Sequence, residues 1–159
     1  MIGLIQRVAR AEVVVDGAPV GRIGSGIVLL LAVQRGDVEA TGDRLLDRVL
    51  SYRIFADAQQ RMNLSLLDTR GELLVVSQFT LAADTQKGTR AGFSRAATPA
   101  EGERLYDYFV SRARIRAAPA GVGIATGRFG ADMQVTLTND GPVTFWLEVS
   151  PPADSQSAD

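Results

Sequence analysis

The most apolar run of the chain is residues 26–33, Gly-Ile-Val-Leu-Leu-Leu-Ala-Val. Eight residues are too few to cross the hydrocarbon core of a bilayer, so the run is predicted to be a buried β-strand. Before it, β-prone residues alternate with the turn signals Asp16-Gly17 and Gly24-Ser25-Gly26. The glycines at 21, 24 and 26 lack the order and context of a phosphate-binding loop and are assigned to hairpin turns. The first 34 residues are therefore predicted to form three strands in a meander.

Two amphipathic helices are predicted downstream. Between residues 39 and 54, apolar side chains recur at helical spacing with charged residues between them. A second helix begins after Thr98, because Pro99 suits the first helical position and Glu101 completes a capping box. It ends before residues 119–121, Pro-Ala-Gly. Its predicted inner face carries Leu105, Tyr108 and Phe109.

Shorter β-prone stretches complete the pattern. Two of them, 64–67 and 73–76, are separated by an Asp-Thr-Arg-Gly turn signal, and two more lie at 133–137 and 143–149. Residues 139–142, Asn-Asp-Gly-Pro, are predicted to be the turn between the last two strands. Helices lying on a sheet indicate the α+β class.

Two segments fall outside this regular pattern. Residues 82–97 have no apolar period and are predicted to form a long basic loop, and loops of this length are often functional. The basic side chains of this loop are Lys87, Arg90 and Arg95. One domain is expected over residues 1–149, and the polar tail at 150–159 is predicted to be disordered.

The residue types that are missing restrict the chemistry most. The chain has no Cys and no His, which excludes disulfides, thiolate nucleophiles, thiolate and imidazole metal ligands, and the usual general base at neutral pH. The loop carboxylates Asp84, Asp132 and Asp140 are too far apart in sequence to supply a metal-ligand pattern. No metal or cofactor is therefore expected.

Charge and targeting signals narrow the partners. A formal net charge of −1 and a pI near 5.5 argue against a protein that coats duplex DNA, because such binding needs many Lys and Arg contacts to phosphate. The apolar stretch Ile2–Ile5 is too short for a signal peptide. A cytoplasmic protein without a membrane partner is expected, and any RNA contact must be local.

Taken alone, the hydroxyl-rich segment Ser77 to Thr80 is only the end of a strand. Two hydroxyls and the Gln78 amide can orient a reacting oxygen, but Ser and Thr often just end strands. Thr80 as a covalent nucleophile would need a group to take its proton, and Lys87 is the only lysine of the chain. Gly141-Pro142 taken alone is likewise a plain turn.

Several motifs, read together and in order, carry a family resemblance. They are Gln6-Arg7-Val8, Arg53-Ile54-Phe55, Met62-Asn63-Leu64-Ser65, Ser77-Gln78-Phe79-Thr80-Leu81, residues 126–133 (Thr-Gly-Arg-Phe-Gly-Ala-Asp-Met) and Asn139-Asp140-Gly141-Pro142-Val143-Thr144. From residue 1 to about residue 149 the chain resembles the D-aminoacyl-tRNA deacylase family.

This resemblance implies a fold and a site. The fold is a twisted, mostly antiparallel, barrel-like sheet with two amphipathic helices, in a homodimer. Gly141-Pro142, joined by a cis peptide bond, would enter the partner's active site and face the catalytic segment Ser77, Gln78, Phe79 and Thr80. Gly141, Pro142, Arg7 and Met133 would bind the substrate, with Arg7 supporting the Gly-Pro pair. Lys87, Arg90 and Arg95 are the candidates for tRNA phosphate contacts.

The implied function is hydrolysis of the ester bond of D-aminoacyl-tRNA, with L-amino acids excluded by the Gly-Pro carbonyls. Such a site cannot refuse glycine, so glycyl-tRNA, including glycine mischarged on tRNA-Ala, is a further expected substrate. A hydroxyl of the terminal ribose would replace the missing base. Two alternatives stay open: covalent catalysis through Thr80, and a non-catalytic RNA-binding module that protects the aminoacyl end.

Overall fold

A computed structural model describes residues 1–152 as a strongly bent sheet covered on one face by helices. Residues 153–159, most of the predicted tail, lie outside the described part. The strands are β1 (Ile2–Val15), β2 (Ala18–Ile23), β3 (Gly26–Ala32), β4 (Phe55–Ala56), β5 (Met62–Leu64), β6 (Glu72–Ser77), β7 (Gly123–Thr126) and β8 (Gln134–Glu148). The helices are α1 (Glu39–Ser51), α2 (Leu66–Thr69) and α3 (Pro99–Ala117), with 3₁₀ turns at Phe79–Ala82 and Ala118–Ala120.

The first three strands form a bent hairpin, so the predicted meander is wrong. β1 pairs antiparallel with β2 and with β3 in one register, in which Ala11 faces Ile23 and Val8 faces Gly26. β2 and β3 are thus two halves of one strand, because the chain keeps its direction through Gly24 and Ser25. The Gly24 amide donates to a Glu72 carboxylate oxygen at 2.7 Å instead of closing a turn.

The rest of the sheet extends in both directions from this hairpin. β8 pairs antiparallel with the other edge of β1, whereas β6 lies parallel to β3 and β7 parallel to β6. β2 curls back toward β7, and a Cβ built on Gly21 would lie only 2.2 Å from the carbonyl oxygen of Thr126. This close approach requires glycine. The sheet is therefore nearly closed into a barrel, as expected, with two parallel pairs in a mostly antiparallel arrangement.

Helices α1 and α3 cover one face of the sheet with a continuous apolar core. α1 ends at Ser51, three residues before the end of the predicted periodic segment. On α3, Leu105, Tyr106 and Phe109 are buried, whereas Tyr108 is only half-buried and donates to an Asp43 carboxylate oxygen at 3.0 Å. The predicted inner face was therefore wrong in Tyr108, and Tyr106 takes the inward position.

The predicted strand at residues 64–67 is largely a helical turn. Ser65 caps α2: its amide and hydroxyl both donate to Asp68 Oδ2 at 2.8 Å, and its hydroxyl oxygen accepts from the Asp68 amide at 3.2 Å. This is the reciprocal pattern of a capping box. The bonds from Ser65 hold the pKa of Asp68 below its ordinary value. Local capping thus overrides the β-propensity of the leucines.

The predicted turn at residues 139–142 is also wrong, because β8 continues through it. Asn139 faces Val8 on β1, and Thr144 faces Gln6. Four residues of β8, 140–143, therefore stand opposite the single residue Arg7. An insertion of this size is a special β-bulge, and bulges bend the strand that carries them. Below, residues 140–143 are called the Gly-Pro bulge.

Candidate active site

The segment that ends β6 turns sharply at the rim of the sheet. The Gln78 amide donates to the Leu31 carbonyl at 2.8 Å, and the chain then enters the 3₁₀ turn. The Gln78 side-chain amide donates to Thr80 Oγ1 at 2.5 Å, which engages one lone pair of that oxygen. The amides of Phe79 and Thr80 open this turn and donate to no acceptor among residues 1–152. Two free N–H groups are thus available beside Ser77.

A pocket of about 420 Å³ lies between this segment and the start of α3. Ser77, Gln78 and Phe79 line it, whereas Thr80 is exposed and does not. The other lining residues are Leu31, Val33, Phe93, Ala96, Ala97, Thr98, Pro99, Gly102, Tyr106, Phe129 and Gly130. The wall is mostly apolar with a few polar groups, which is typical of small-ligand sites.

Two aromatic pairs frame the pocket. The rings of Phe79 and Phe93 lie 5.1 Å apart, and both side chains are largely exposed, at 60% and 42%. The rings of Tyr106 and Phe129 lie 5.7 Å apart on the inner side. Exposed aromatic faces of this kind can stack on a flat heterocycle.

The Tyr106 hydroxyl anchors the inner wall. It donates to the Val75 carbonyl at 2.9 Å, and burial raises the pKa of Tyr106 to about 12. The phenol is therefore neutral across the physiological range and serves as a fixed donor. Its hydrogen bond ties α3 to the strand that ends in Ser77.

The Gly-Pro bulge lies on β8 and is held by Arg7. The Arg7 Nε donates to the Asp140 carbonyl at 3.0 Å, and an Nη donates to the Ile54 carbonyl at 2.7 Å. The Gly141-Pro142 peptide bond is cis, as the resemblance implied. Gly141 has φ +138°, and a Cβ there would lie 2.7 Å from a Val143 methyl group, so the position requires glycine.

The structure does not bring every predicted site residue to the same pocket. Gly141, Pro142, Arg7 and Met133 are absent from its lining in the single chain described over residues 1–152. Met133 packs against the apolar cluster on the other face of the sheet, which includes Val8, Val13, Val28, Leu74 and Val76. Its sulfur accepts from the Arg128 amide at 3.4 Å.

The basic side chains of the loop at residues 82–97 lie at the protein surface. Lys87, Arg90 and Arg95 are all exposed, and Arg95 also forms an ion pair with Glu148 at 3.5 Å. The end of the loop is attached to the sheet, because the Arg35 amide donates to the Arg95 carbonyl at 2.9 Å. Arg35 is thereby a further basic residue beside the loop that sequence reasoning did not select.

Several pocket residues were missed because they lie far apart in the chain. Phe93 was part of the unassigned loop, and Thr98 and Pro99 were considered only as the start of a helix. Phe129 and Gly130 fall within the family motif at 126–133, which was a usable signal. The 152 described residues contain no group of carboxylates that could hold a metal ion, and no helix among them is long and apolar enough to span a membrane.

Comparison with known families agrees with the motifs. The family model described as D-Tyr-tRNA(Tyr) deacylase matches residues 4–148. The D-aminoacyl-tRNA deacylase of Janthinobacterium sp. (strain Marseille) is 59% identical over 151 residues, which cover 95% of this chain and 99% of the relative. The D-aminoacyl-tRNA deacylase of Thioalkalivibrio sulfidiphilus (strain HL-EbGR7) is 60% identical over 152 residues, or 96% of this chain and 99% of the relative.

Solved structures share the fold. The c-Myc DNA Unwinding Element Binding Protein superposes with a TM-score of 0.87 at 37% identity, covering 96% of this chain and all of that one. A probable eukaryotic D-amino acid tRNA deacylase superposes with a TM-score of 0.78 at 18% identity, covering 92% of this chain and 97% of that one, and this likeness concerns the fold alone. With its motifs, its family-model match and its close relatives in agreement, the chain belongs to the D-aminoacyl-tRNA deacylase family of hydrolases.

Proposed function

We propose that this protein hydrolyses the ester bond of D-aminoacyl-tRNA and rejects the L-aminoacyl ester. The observation that carries this proposal is that two parts of the proposed site, the pocket and the Gly-Pro bulge, lie apart in the single chain. The pocket beside Ser77 and Phe79 is open and apolar, and the Gly-Pro bulge, held firmly by Arg7, does not line it in the single chain. In the proposal, the bulge acts on the pocket of a second copy of the chain. A tRNA substrate also implies a cytoplasmic protein.

A homodimer would bring the two parts together. Strand β8 is 15 residues long and pairs only with β1 among the described residues, which leaves its outer edge unpaired. Val135 and Trp146 on this strand are 39% and 50% exposed. A long, unpaired edge with exposed apolar side chains favours association with another chain. Under twofold symmetry each bulge enters the other subunit's pocket, which gives two composite sites.

Chiral selection follows from what the bulge presents. In the proposed complex the carbonyl oxygens of Gly141 and Pro142 accept the α-ammonium group of the substrate and occupy the space that an L side chain would need. A D side chain points away from them, and glycine has no side chain to exclude. Glycyl-tRNA, including glycine mischarged on tRNA-Ala, is therefore a proposed second substrate. Exclusion of a competitor is an established route to specificity.

Catalysis would come from placement rather than from a protein base. The chain has no His, and the Gln78 side-chain amide that contacts Thr80 Oγ1 is a donor and cannot take the hydroxyl proton. The amides of Phe79 and Thr80 can stabilise the developing oxyanion, while Ser77 and Gln78 hold the adenosine end. A terminal ribose hydroxyl then activates the attacking water. In this scheme Thr80 contributes mainly its backbone.

The RNA contacts in this proposal are few. The aromatic pair Phe79 and Phe93 suits stacking on the terminal adenine, because aromatic faces bind single-stranded bases without a basic surface. Lys87, Arg90 and Arg95 lie on the loop that carries Phe93, a lining residue of the pocket, and are proposed to meet backbone phosphates. The balanced charge of the chain agrees with such local recognition.

The activity is tested by incubating the protein with D-tyrosyl-tRNA and L-tyrosyl-tRNA and following ester loss. We expect cleavage of the D ester and little of the L ester. Tight binding of both without ester loss would instead identify the non-catalytic module that protects the aminoacyl end.

Composite sites make a sharper experiment possible. A Gly141→Val variant would lack a working bulge, and a Phe79→Asp variant would lack a working pocket. Mixed after subunit exchange, the two should regain about a quarter of the unaltered rate, since half of the dimers are heterodimers with one intact site. Mixtures that stay as inactive as the separate variants would refute shared sites.

Two further measurements separate the catalytic schemes. If Thr80 were a covalent nucleophile, Thr80→Ala would lose essentially all activity. The proposed scheme predicts a loss of no more than about tenfold, well below the roughly hundredfold or greater loss that removal of an oxyanion-site donor causes, because the variant keeps the backbone amide. A substrate that ends in 2′-deoxyadenosine, with the D-amino acid on the 3′ oxygen, should be cleaved far more slowly. Undiminished cleavage of it would rule out help from the ribose.

A further inference from the structure

We propose that Asn139 is a positioning residue that fixes the Gly-Pro bulge and thereby sets the ratio of D to L cleavage. The inference rests on the proposed function and adds a specificity role for a side chain outside the pocket. Asn139 lies at the base of the bulge, directly opposite Val8 of β1, where regular pairing stops.

The Asn139 side chain closes the bulge. Its Oδ1 accepts a hydrogen bond from the Val143 amide at 3.0 Å, which joins the two ends of the inserted segment. Asn139 is half-buried, and this bond is partly shielded from water. Because Pro142 has no N–H and Asp140 is held through its carbonyl by Arg7, the Val143 amide is the donor by which the far end of the bulge can be held.

The side-chain nitrogen of Asn139 anchors the bulge to the sheet. Asn139 Nδ2 donates to Thr144 Oγ1 at 3.0 Å, and the Gln6 side-chain amide donates to the same oxygen at 3.3 Å. Thr144 faces Gln6 in the register of β1 and β8. The side chains of Asn139, Thr144 and Gln6 are together called the clamp. The clamp joins the bulge to the first residues after it that pair regularly with β1.

The clamp and Arg7 hold different parts of the bulge. Arg7 fixes the carbonyl just before Gly141, whereas Asn139 fixes the amide just after Pro142. The two carbonyls between them have their direction set from both sides. A shift of about 1 Å in a positioned group is enough to change rates by about a hundredfold. Loss of the clamp should therefore weaken capture of the D substrate and reopen space for an L side chain.

The test compares a nearly isosteric apolar variant with a variant that keeps the acceptor. Asn139→Leu removes both hydrogen bonds, whereas in Asn139→Asp a carboxylate oxygen can still accept from the Val143 amide and the Thr144 hydroxyl can donate to it. Thr136→Val is the control, because Thr136 is an exposed threonine on the same strand. For each, kcat/KM is measured on D-tyrosyl-tRNA and L-tyrosyl-tRNA, and the fraction folded is measured by circular dichroism.

We expect Asn139→Leu to lower the D:L ratio at least thirtyfold, and Asn139→Asp and Thr136→Val to stay within about threefold of the unaltered chain. A variant that was only less folded would lose both activities equally and keep its ratio. An unchanged ratio in Asn139→Leu, or an equal fall in Asn139→Asp, would overturn the inference.

If Asn139→Leu does not fold, a comparison of Thr144→Val with Thr144→Ser tests the same inference. The valine variant removes the oxygen that holds the Asn139 amide and should lower the ratio about tenfold, while the serine variant restores it; equal ratios in the two would overturn the role of the clamp. An unaltered chain that does not discriminate D from L would overturn the proposed function itself, whereas a selective chain with an insensitive clamp would overturn this inference alone.

Discussion

The guanidinium Nε of Arg7 lies 3.0 Å from the carbonyl oxygen of Asp140, and the same fork donates at 2.7 Å to the carbonyl oxygen of Ile54. Arg7 is the single residue of β1 opposite the inserted segment of β8, and its side chain is only 16% exposed. One planar group therefore joins the bulge to the segment that follows α1. Lysine cannot make both contacts from one fixed plane.

We predict that Arg7→Lys lowers kcat/KM on D-tyrosyl-tRNA at least tenfold and lowers the D:L ratio as well, because the ammonium group can hold only one of the two carbonyls in the original geometry. Steady-state kinetics on both esters measure this. Arg10→Lys, an exposed neighbour on the same strand, is the matched control and should leave both values unchanged. Equal behaviour of the two variants would show that the fork does not support the bulge.

The close approach of Gly21 to β7, where the barrel nearly closes, leads to a second prediction. A Cβ there would meet the Thr126 carbonyl oxygen at 2.2 Å, and relief requires β2 to move away from β7. We expect Gly21→Ala to lower the free energy of unfolding by about 2 kcal/mol or more, as overpacked sites do. The control is Gly24→Ala, whose Cβ would meet only the end of the Glu72 side chain at 3.4 Å. Urea unfolding should separate the two variants clearly, and similar midpoints would contradict the close approach.

Because Tyr106 is buried, we predict that the free energy of unfolding falls at alkaline pH. In the unfolded chain the phenol ionises near pH 10, whereas in the folded chain burial raises the pKa of Tyr106 to about 12. The unfolded state therefore releases this proton first, so the contribution is complete below pH 10 and is lost as the pH rises from 10 to 12. Two pH units correspond to about 2–3 kcal/mol.

The measurement compares unfolding of the unaltered chain with that of Tyr106→Phe. Near neutral pH the variant should be less stable by about 1 kcal/mol, because the Val75 carbonyl loses its donor. This difference should shrink and then reverse between pH 10 and pH 12, since phenylalanine has no proton to lose. A difference that stays constant with pH would show that Tyr106 is not buried as described.

Much of this fold could be predicted where the signals are local. The apolar run at 26–33 became β3, and the Thr98 cap with Pro99 marked the start of α3 correctly. The Gly24-Ser25 signal did not reveal whether the chain reverses or only bends, because the same residue types permit both. The partner strand decides this: β1 pairs with both halves in one register.

The site could be predicted only in part, and again only where a local motif marked it. Ser77 and Phe79 were located by a motif, but the turn expected at residues 139–142 is a bulge, since its course depends on pairing with a strand more than 130 residues earlier. Phe93 and Phe129 carry no local sign that they line one pocket. Long-range pairing and loop packing supply information that periodicity and capping do not contain.

The last prediction concerns the exposed aromatic pair. If Phe93 stacks on the terminal adenine of the substrate, Phe93→Ala should raise KM for D-tyrosyl-tRNA by about 5- to 150-fold, in line with about 1–3 kcal/mol for a base stacked on an aromatic ring. The value of kcat should change much less, because stacking on the adenine holds the substrate equally in the ground state and in the transition state. Phe93→Tyr keeps the ring face and serves as the matched control. The exposed Ile115 on α3, replaced by alanine, removes a similar apolar surface away from the pocket. If Phe93→Ala and Ile115→Ala raise KM equally, general loss of apolar surface explains the effect, and stacking at the pocket mouth does not.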